Sequence, residues 1–190
     1  MTPADHVRRR GGLGLLAMAI AAVALQRAST APWGTAEESA TGAHYVISAV
    51  GLSRTEPGRP LPTDCRWWPR YGDATLCATA SGAARAATQL RRGYPLLQVA
   101  LWLSVASLLL QALRVPRQRL LQAAPPAIVA ALASAAFLAI TSGAPASLRA
   151  LAGTVPHFTG IGALLALAGI GAALVGCVVV LTTFSPRADG

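Results

Sequence analysis

Residues 160–184 read GIGALLALAGIGAALVGCVVVLTTF and contain neither a charged residue nor a histidine. An α-helix rises 1.5 Å per residue, so roughly 20 residues cross the ~30 Å hydrocarbon core of a bilayer. The run exceeds that length. It therefore predicts a transmembrane helix, with lipid rather than water as the surrounding solvent.

Three more apolar runs precede this one, at residues 11–28, 94–114 and 125–142. Apart from Arg27 and Arg114 at their ends, these runs contain no charged residue. The first is the shortest, with about 15 clearly apolar residues, and the third is just long enough to span. Together with 160–184, they predict an all-α integral membrane protein whose fold is a four-transmembrane-helix bundle.

The overall composition agrees with this interpretation. The 190 residues are 54% hydrophobic and 12% charged, whereas a soluble domain usually has about 25% charged residues. The net charge of +9 comes from arginine, since the chain contains no lysine. Because several arginines flank the apolar runs, topology explains them better than a nucleic-acid partner does. The arginine-only, alanine-rich composition is typical of a GC-rich bacterial genome, so the predicted location is a bacterial inner membrane.

Arginines near the helix ends predict the orientation. Seven lie on one side, at positions 8, 9, 10, 114, 117, 119 and 187, and four lie on the other, at positions 27, 91, 92 and 149. The excess predicts that both termini are cytoplasmic. The cytoplasmic segments are then 1–10, 115–124 and 185–190, and the external ones are 29–93 and 143–159.

The first run also has features of a cleaved signal peptide, because a basic segment precedes an apolar core. The nearest stretch of small residues, Ala28-Ser29-Thr30-Ala31, is followed by Pro32 and makes a poor cleavage site. A retained helix is the favoured interpretation. Either way, the loop that follows lies on the same side of the membrane.

The external loop 29–93 contains two cysteines, Cys65 and Cys77. An external compartment permits disulfides, and this one would stabilise the loop by roughly 3 kcal/mol. A redox-active pair is the alternative, although such pairs usually have the spacing Cys-x-x-Cys. The loop also contains one candidate strand, 44–50, and an alanine-rich segment, 81–90, that is predicted to form a short helix.

The same loop carries an aromatic and basic segment that is a candidate interface. Its members are Arg66, Trp67, Trp68, Arg70 and Tyr71. Tryptophan and tyrosine favour membrane surfaces, and together with arginine they also dominate protein interfaces. Both interpretations stay open, and Trp33 and Tyr45 belong to the same external group of aromatic residues.

Small residues recur every four positions along 160–184, in the rows Ala168–Ala172–Gly176 and Gly169–Ala173–Cys177. Such rows let helices approach closely in lipid, either inside one bundle or between subunits.

On the second run, Ser104, Ser107 and Gln111 share one helix face. Hydrogen bonding between helices is the favoured role for these three side chains, and a pore lining is the alternative.

The sequence contains few groups of side chains that could bind a metal or carry out catalysis. The three histidines, His6, His44 and His157, show no ligand-like spacing, so no metal, no cofactor and no catalytic residue is predicted. Cys177 lies within an apolar run, where a thiol is an inert filler. Ion paths and proton relays require ionisable groups at depth, and the runs contain none between their ends.

The chain layout is loosely similar to that of claudin-type four-helix membrane proteins. The similarity lies in Cys65 and Cys77 within a large first external loop, followed by Ala83-Ala84-Arg85-Ala86 before the second span. It implies four helices and a disulfide in that loop. The family's tryptophan motif precedes its first cysteine, whereas Trp67 and Trp68 follow Cys65, so the similarity is one of topology.

These observations predict a non-catalytic accessory or scaffolding subunit of a larger membrane complex, with the bilayer and other integral membrane subunits as its partners. One alternative is a quinone- or thiol-linked redox protein that uses Cys65, Cys77 and His157. A second alternative is a component of a small-molecule transporter.

Overall fold

A computed structural model of the chain describes residues 3–59, 62–66, 71–77, 84–112, 119–152 and 160–183. This part is mostly helical and includes a small antiparallel sheet. The helices are α1 (Pro3–Thr30), α2 (Ala84–Ala112), α3 (Arg119–Ala152) and α4 (Ile161–Thr183). The strands are β1 (Pro32–Glu37), β2 (His44–Ser48), β3 (Gly51–Thr55), β4 (Thr63–Arg66) and β5 (Tyr71–Gly72).

Each long helix contains a segment that is long and apolar enough to cross a membrane. These segments are Gly12–Thr30, Arg91–Gln111, Ala123–Gly143 and Ile161–Thr182. The prediction of four such helices is confirmed. The first three helices begin before the predicted runs, whereas α4 lies within the fourth run. α3 begins at Arg119 and continues through Pro125, where the third run is predicted to start.

The four helices pack as a ring in which α1 and α3 each contact both α2 and α4. Small side chains fill much of the interior, and those that are at least 94% buried include Ala21, Ala28, Ala100, Ala133, Ala136 and Ala173. Lipid tails are as apolar as leucine, so helix association in a bilayer depends on close van der Waals contact. Small residues permit that contact.

The segment between α1 and α2 corrects the prediction that the chain is all-α. Between α1 and α2 lies a five-stranded sheet in the order β1-β2-β3-β4-β5, each strand antiparallel to the next. The candidate strand 44–50 corresponds to β2, and the other four strands were not predicted. The predicted short helix 81–90 is, from Ala84 onward, the beginning of α2.

The sheet is buried on one face. Ala36, Tyr45, Ile47, Leu52 and Cys65 lie on this face and are 95–99% buried. β1 contacts both α3 and α4, and β2 contacts α3, so the sheet lies against one end of the bundle. The strand register places Val46 opposite Ser53 on the other face, where both are half-buried.

Candidate functional site

Trp33 on β1 joins the sheet to the bundle. Its indole is fully buried, and its Nε1 donates a hydrogen bond of 2.8 Å to the carbonyl oxygen of Ala28 near the end of α1. The ring centroid of Phe137 on α3 lies 6.0 Å from that of Trp33. A methyl group on Gly162 of α4 would overlap the indole. One side chain therefore contacts α1, α3 and α4.

The sequence places Trp33 among the predicted external aromatic residues and does not reveal this junction. An isolated tryptophan directly after a helix end gives a weak signal, because a membrane-surface position explains it equally well. Gly162 gives the complementary signal. A glycine in the first turn of an apolar helix provides the space into which a large side chain can pack.

The predicted disulfide between Cys65 and Cys77 is present, with the two Cα atoms 5.2 Å apart. Cys65 lies on β4, and Cys77 ends a single helical turn formed by residues 74–77. Asp73 caps this turn, because its carboxylate accepts a hydrogen bond of 2.9 Å from the backbone N–H of Leu76. Since Cys65 is 3% exposed, an external thiol has poor access to its sulfur. This shielding is typical of a structural disulfide.

A charged network covers the outer end of the sheet. Arg54 lies 3.0 Å from a carboxylate oxygen of Glu56 and 3.8 Å from one of Glu38, and Arg59 lies 3.3 Å from Glu56. The four charges balance in sign. The network therefore needs no external ion to neutralise it.

Tyr45 connects this network to the buried face of the sheet. Its hydroxyl donates a long hydrogen bond of 3.4 Å to Glu38, and the Arg54 guanidinium lies 5.6 Å from the ring centroid. Burial raises the pKa of Tyr45 above its usual value of 10.0, while the positive charge of Arg54 opposes that shift. An open cavity of about 220 Å³ adjoins the network.

The opposite face of the sheet has an open groove of about 310 Å³. Val46, Ser48, Ser53, Asp64 and Arg66 are among the residues that line it. Arg66 is the predicted interface residue whose side chain the structure places here. Trp67, Trp68 and Arg70 lie outside the described residues, and the described part of Tyr71 is its backbone in β5.

Inside the bundle, the predicted polar face of α2 points toward the other helices. Ser104 and Ser107 are buried, and Ser104 donates a hydrogen bond of 2.8 Å to its own helix, at the Ala100 carbonyl. Gln111 donates to Ser107 over 3.3 Å and lies beside Gly14 of α1. Among the described residues, no group of three His, Cys, Asp or Glu side chains is placed to hold a metal ion.

The small-residue rows of α4 divide between its two sides. A Cβ on Gly169 would lie 2.8 Å from Leu25, and one on Gly176 would lie 3.1 Å from Met18, so both glycines face α1. Ala173 is also buried. Ala168 is exposed and Ala172 half-buried, which leaves the outer part of these rows open. Cys177 is half-buried and lies 3.8 Å from the Ala123 carbonyl oxygen.

No known protein family matches this chain, and no curated protein matches it.

Proposed function

We propose that this chain is a non-catalytic, multi-pass protein of a bacterial inner membrane, and that it serves as an accessory or scaffolding subunit of a larger membrane complex. In this proposal all four helices span the bilayer. Both termini are cytoplasmic, and the sheet lies outside.

The outward faces of the helices support the spanning arrangement. Large apolar side chains on all four helices point away from the bundle and are 44–68% exposed, among them Leu16, Trp102, Leu138 and Val178. Such a continuous apolar surface would be unstable in water and is what a bilayer requires. The excess of arginine at the predicted cytoplasmic ends supports the orientation.

The single observation that carries the accessory role is the way the sheet is held. Trp33 fixes it to three helices, and the disulfide links β4 to the helical turn that follows β5. The groove lined by Val46 and Arg66 stays open. A rigidly held surface with an open side is what a docking subunit needs. The side chains of Ser104 and Ser107 form hydrogen bonds within α2 itself, which fits this role better than a transport path. The buried sulfur of Cys65 fits it better than redox exchange.

Extraction in mild detergent, followed by identification of the co-purifying proteins, tests the role. We expect a defined set of integral membrane proteins to remain bound to the wild type. Val46→Arg, in the groove, should release them, whereas Ala40→Arg, at the exposed β1–β2 turn, should not. A solitary monomer, or equal retention by both variants, would contradict the proposal.

The topology is tested separately, by carbonate washing of membranes and by labelling of single cysteines. A cysteine introduced at Ala40 in a Cys177→Ser background should react with an impermeant reagent added from outside. A protein that is released by carbonate, or is labelled there from the cytoplasm alone, would refute the proposed arrangement.

A further inference from the structure

One face of α1 points away from the bundle and ends in a charge. Leu13, Leu16, Ile20 and Val23 are spaced three or four residues apart and are 48–64% exposed. Arg27 continues that spacing one turn after Val23 and is also exposed. We call these five residues the α1 stripe. If the helices span a bilayer, the stripe faces lipid.

Contacts between α1 and α4 set the relative depth of Arg27. The two helices are antiparallel, with Met18 against Gly176 and Leu25 against Gly169. Continuing this register places Arg27 level with about residue 167 of α4. Beyond that level, α4 keeps an exposed apolar face at Leu164 and Ile161, which are 67% and 51% exposed. Arg27 therefore lies about 9 Å below the apolar end of α4.

The two neighbouring helices consequently demand different membrane thicknesses. Arg10 and Arg27 enclose 16 residues of α1, about 24 Å of helix, whereas the 23 residues of α4 cover about 34 Å. A flat hydrocarbon boundary at Ile161 would submerge the Arg27 guanidinium. A bare charge at that depth is strongly unfavourable, so an anion, penetrating water or a local thinning of the bilayer must compensate it.

The described residues do not supply that anion. The ion pairs between described residues lie in the sheet region. None of the described carboxylates pairs with Arg27. The Cα–Cβ bonds of a helix point toward its N-terminus. For α1 that direction is into the bilayer, so the Cα–Cβ bond of Arg27 points away from the outer surface.

We propose that Arg27 binds the phosphate of an outer-leaflet phospholipid, whose acyl chains lie along the α1 stripe. The planar guanidinium matches two phosphate oxygens at once. Drawing the headgroup down to Arg27 thins the bilayer beside α1 while leaving it thicker beside α4. This inference rests on the proposed spanning arrangement and does not depend on the accessory role.

Native mass spectrometry of the full chain in mild detergent tests the site. Phosphatidylglycerol is the added lipid, and a neutral diacyl glycolipid without phosphate is the comparison. We expect the wild type to retain phosphatidylglycerol in preference to the glycolipid. Arg27→Gln should lower that retention at least tenfold, and Arg27→Lys should keep part of it. Arg59→Gln, which removes an exposed arginine in the sheet, should match the wild type.

Equal retention by Arg27→Gln and wild type, or equal binding of the glycolipid, would overturn the proposal. So would inorganic phosphate that binds Arg27 as tightly as the lipid, or loss of a co-purifying protein from Arg27→Gln with lipid retention unchanged. Carbonate washing distinguishes a failure of the lipid-site proposal from a failure of the proposed topology. Protein released by the wash refutes the spanning arrangement, whereas protein that stays in membranes without Arg27-dependent lipid refutes the site alone.

Discussion

The bundle and the sheet are stabilised by different means. The bundle is apolar inside and outside, and its helices meet where glycine or alanine removes side-chain bulk, as at Gly169 and Gly176. The sheet has one buried face, paired charges and a disulfide. A unit of about 45 residues buries too little apolar surface to be stable alone in water, so it needs a covalent link and a neighbour to pack against. Lipid-exposed helices rely on close contact instead.

Replacement of Trp33, which joins the sheet to the bundle, should lower the free energy of unfolding more than any other change considered. Trp33→Ala removes a fully buried indole and its hydrogen bond to Ala28. We expect a loss of about 3–5 kcal/mol in the free energy of unfolding, measured by thermal or denaturant unfolding in detergent. Trp102→Ala is the matched control, because Trp102 on α2 is 68% exposed. Similar losses for the two variants would mean that the sheet is not anchored through Trp33.

Removal of the disulfide should affect the sheet and spare the helices. Cys65→Ser together with Cys77→Ser should cost the sheet region about 3 kcal/mol, because the loop is no longer closed in the unfolded chain. Limited proteolysis should then cleave the segment between α1 and α2, while far-ultraviolet circular dichroism should show that the helix content is retained. Cys177→Ser serves as the thiol control. Loss of the helical signal would show that the two regions are not separable.

Bulk added inside the bundle should be costly on one side of α4 and tolerated on the other. Gly169→Val places methyl groups against Leu25 and should destabilise by about 1–3 kcal/mol. Ala168→Val, one residue earlier on the exposed side, should change stability by less than about 0.5 kcal/mol. Unfolding midpoints in one detergent compare the two. A larger effect at Ala168 would indicate that this side contacts another helix.

The smallest expected effect concerns pH and belongs to the sheet. Burial raises the folded-state pKa of Tyr45 above 10.0, so the unfolded chain loses this proton before the folded chain does. Its contribution to stability is present below about pH 10 and declines as the pH rises through the folded-state pKa. Tyr45→Phe should flatten that decline and cost less than about 1 kcal/mol at neutral pH. Unfolding midpoints between about pH 8 and about pH 11 check this. If the unfolding midpoint of the variant fell with pH as steeply as that of the wild type, Tyr45 would not be the group responsible.

The same contrast explains what the sequence could predict. Helices in lipid need long uncharged runs, and run length alone predicts them, as for 160–184. The strands were harder to find, because the β2–β3 turn at Ala49 and Val50 lacks the Asn-Gly or Asp-Gly pair that marks a tight hairpin. β3, with the sequence GLSRT, has a single strongly apolar side chain. Its pairing depends on neighbours that a local pattern does not contain.

Among the site residues, Cys65 and Cys77 were predictable, since two cysteines in one external loop have few alternatives. By contrast, the sequence alone could not predict that Gly169 and Gly176 face α1 while Ala168 is exposed. Residues one position apart differ by about 100° around a helix, and the identity of the neighbouring helix decides which side is covered. The groove lined by Val46 and Arg66 likewise required the strand register.

The pocket of Trp33 is completed by a residue that is synthesised much later than Trp33 itself. The ribosome makes the tryptophan early, but Gly162, which completes its pocket, is added some 130 residues later, after roughly 6–26 s of translation. Until then the indole lacks one wall of its pocket. Complete burial of Trp33 therefore requires the last helix, and a chain truncated before Gly162 would leave one side of the indole uncovered.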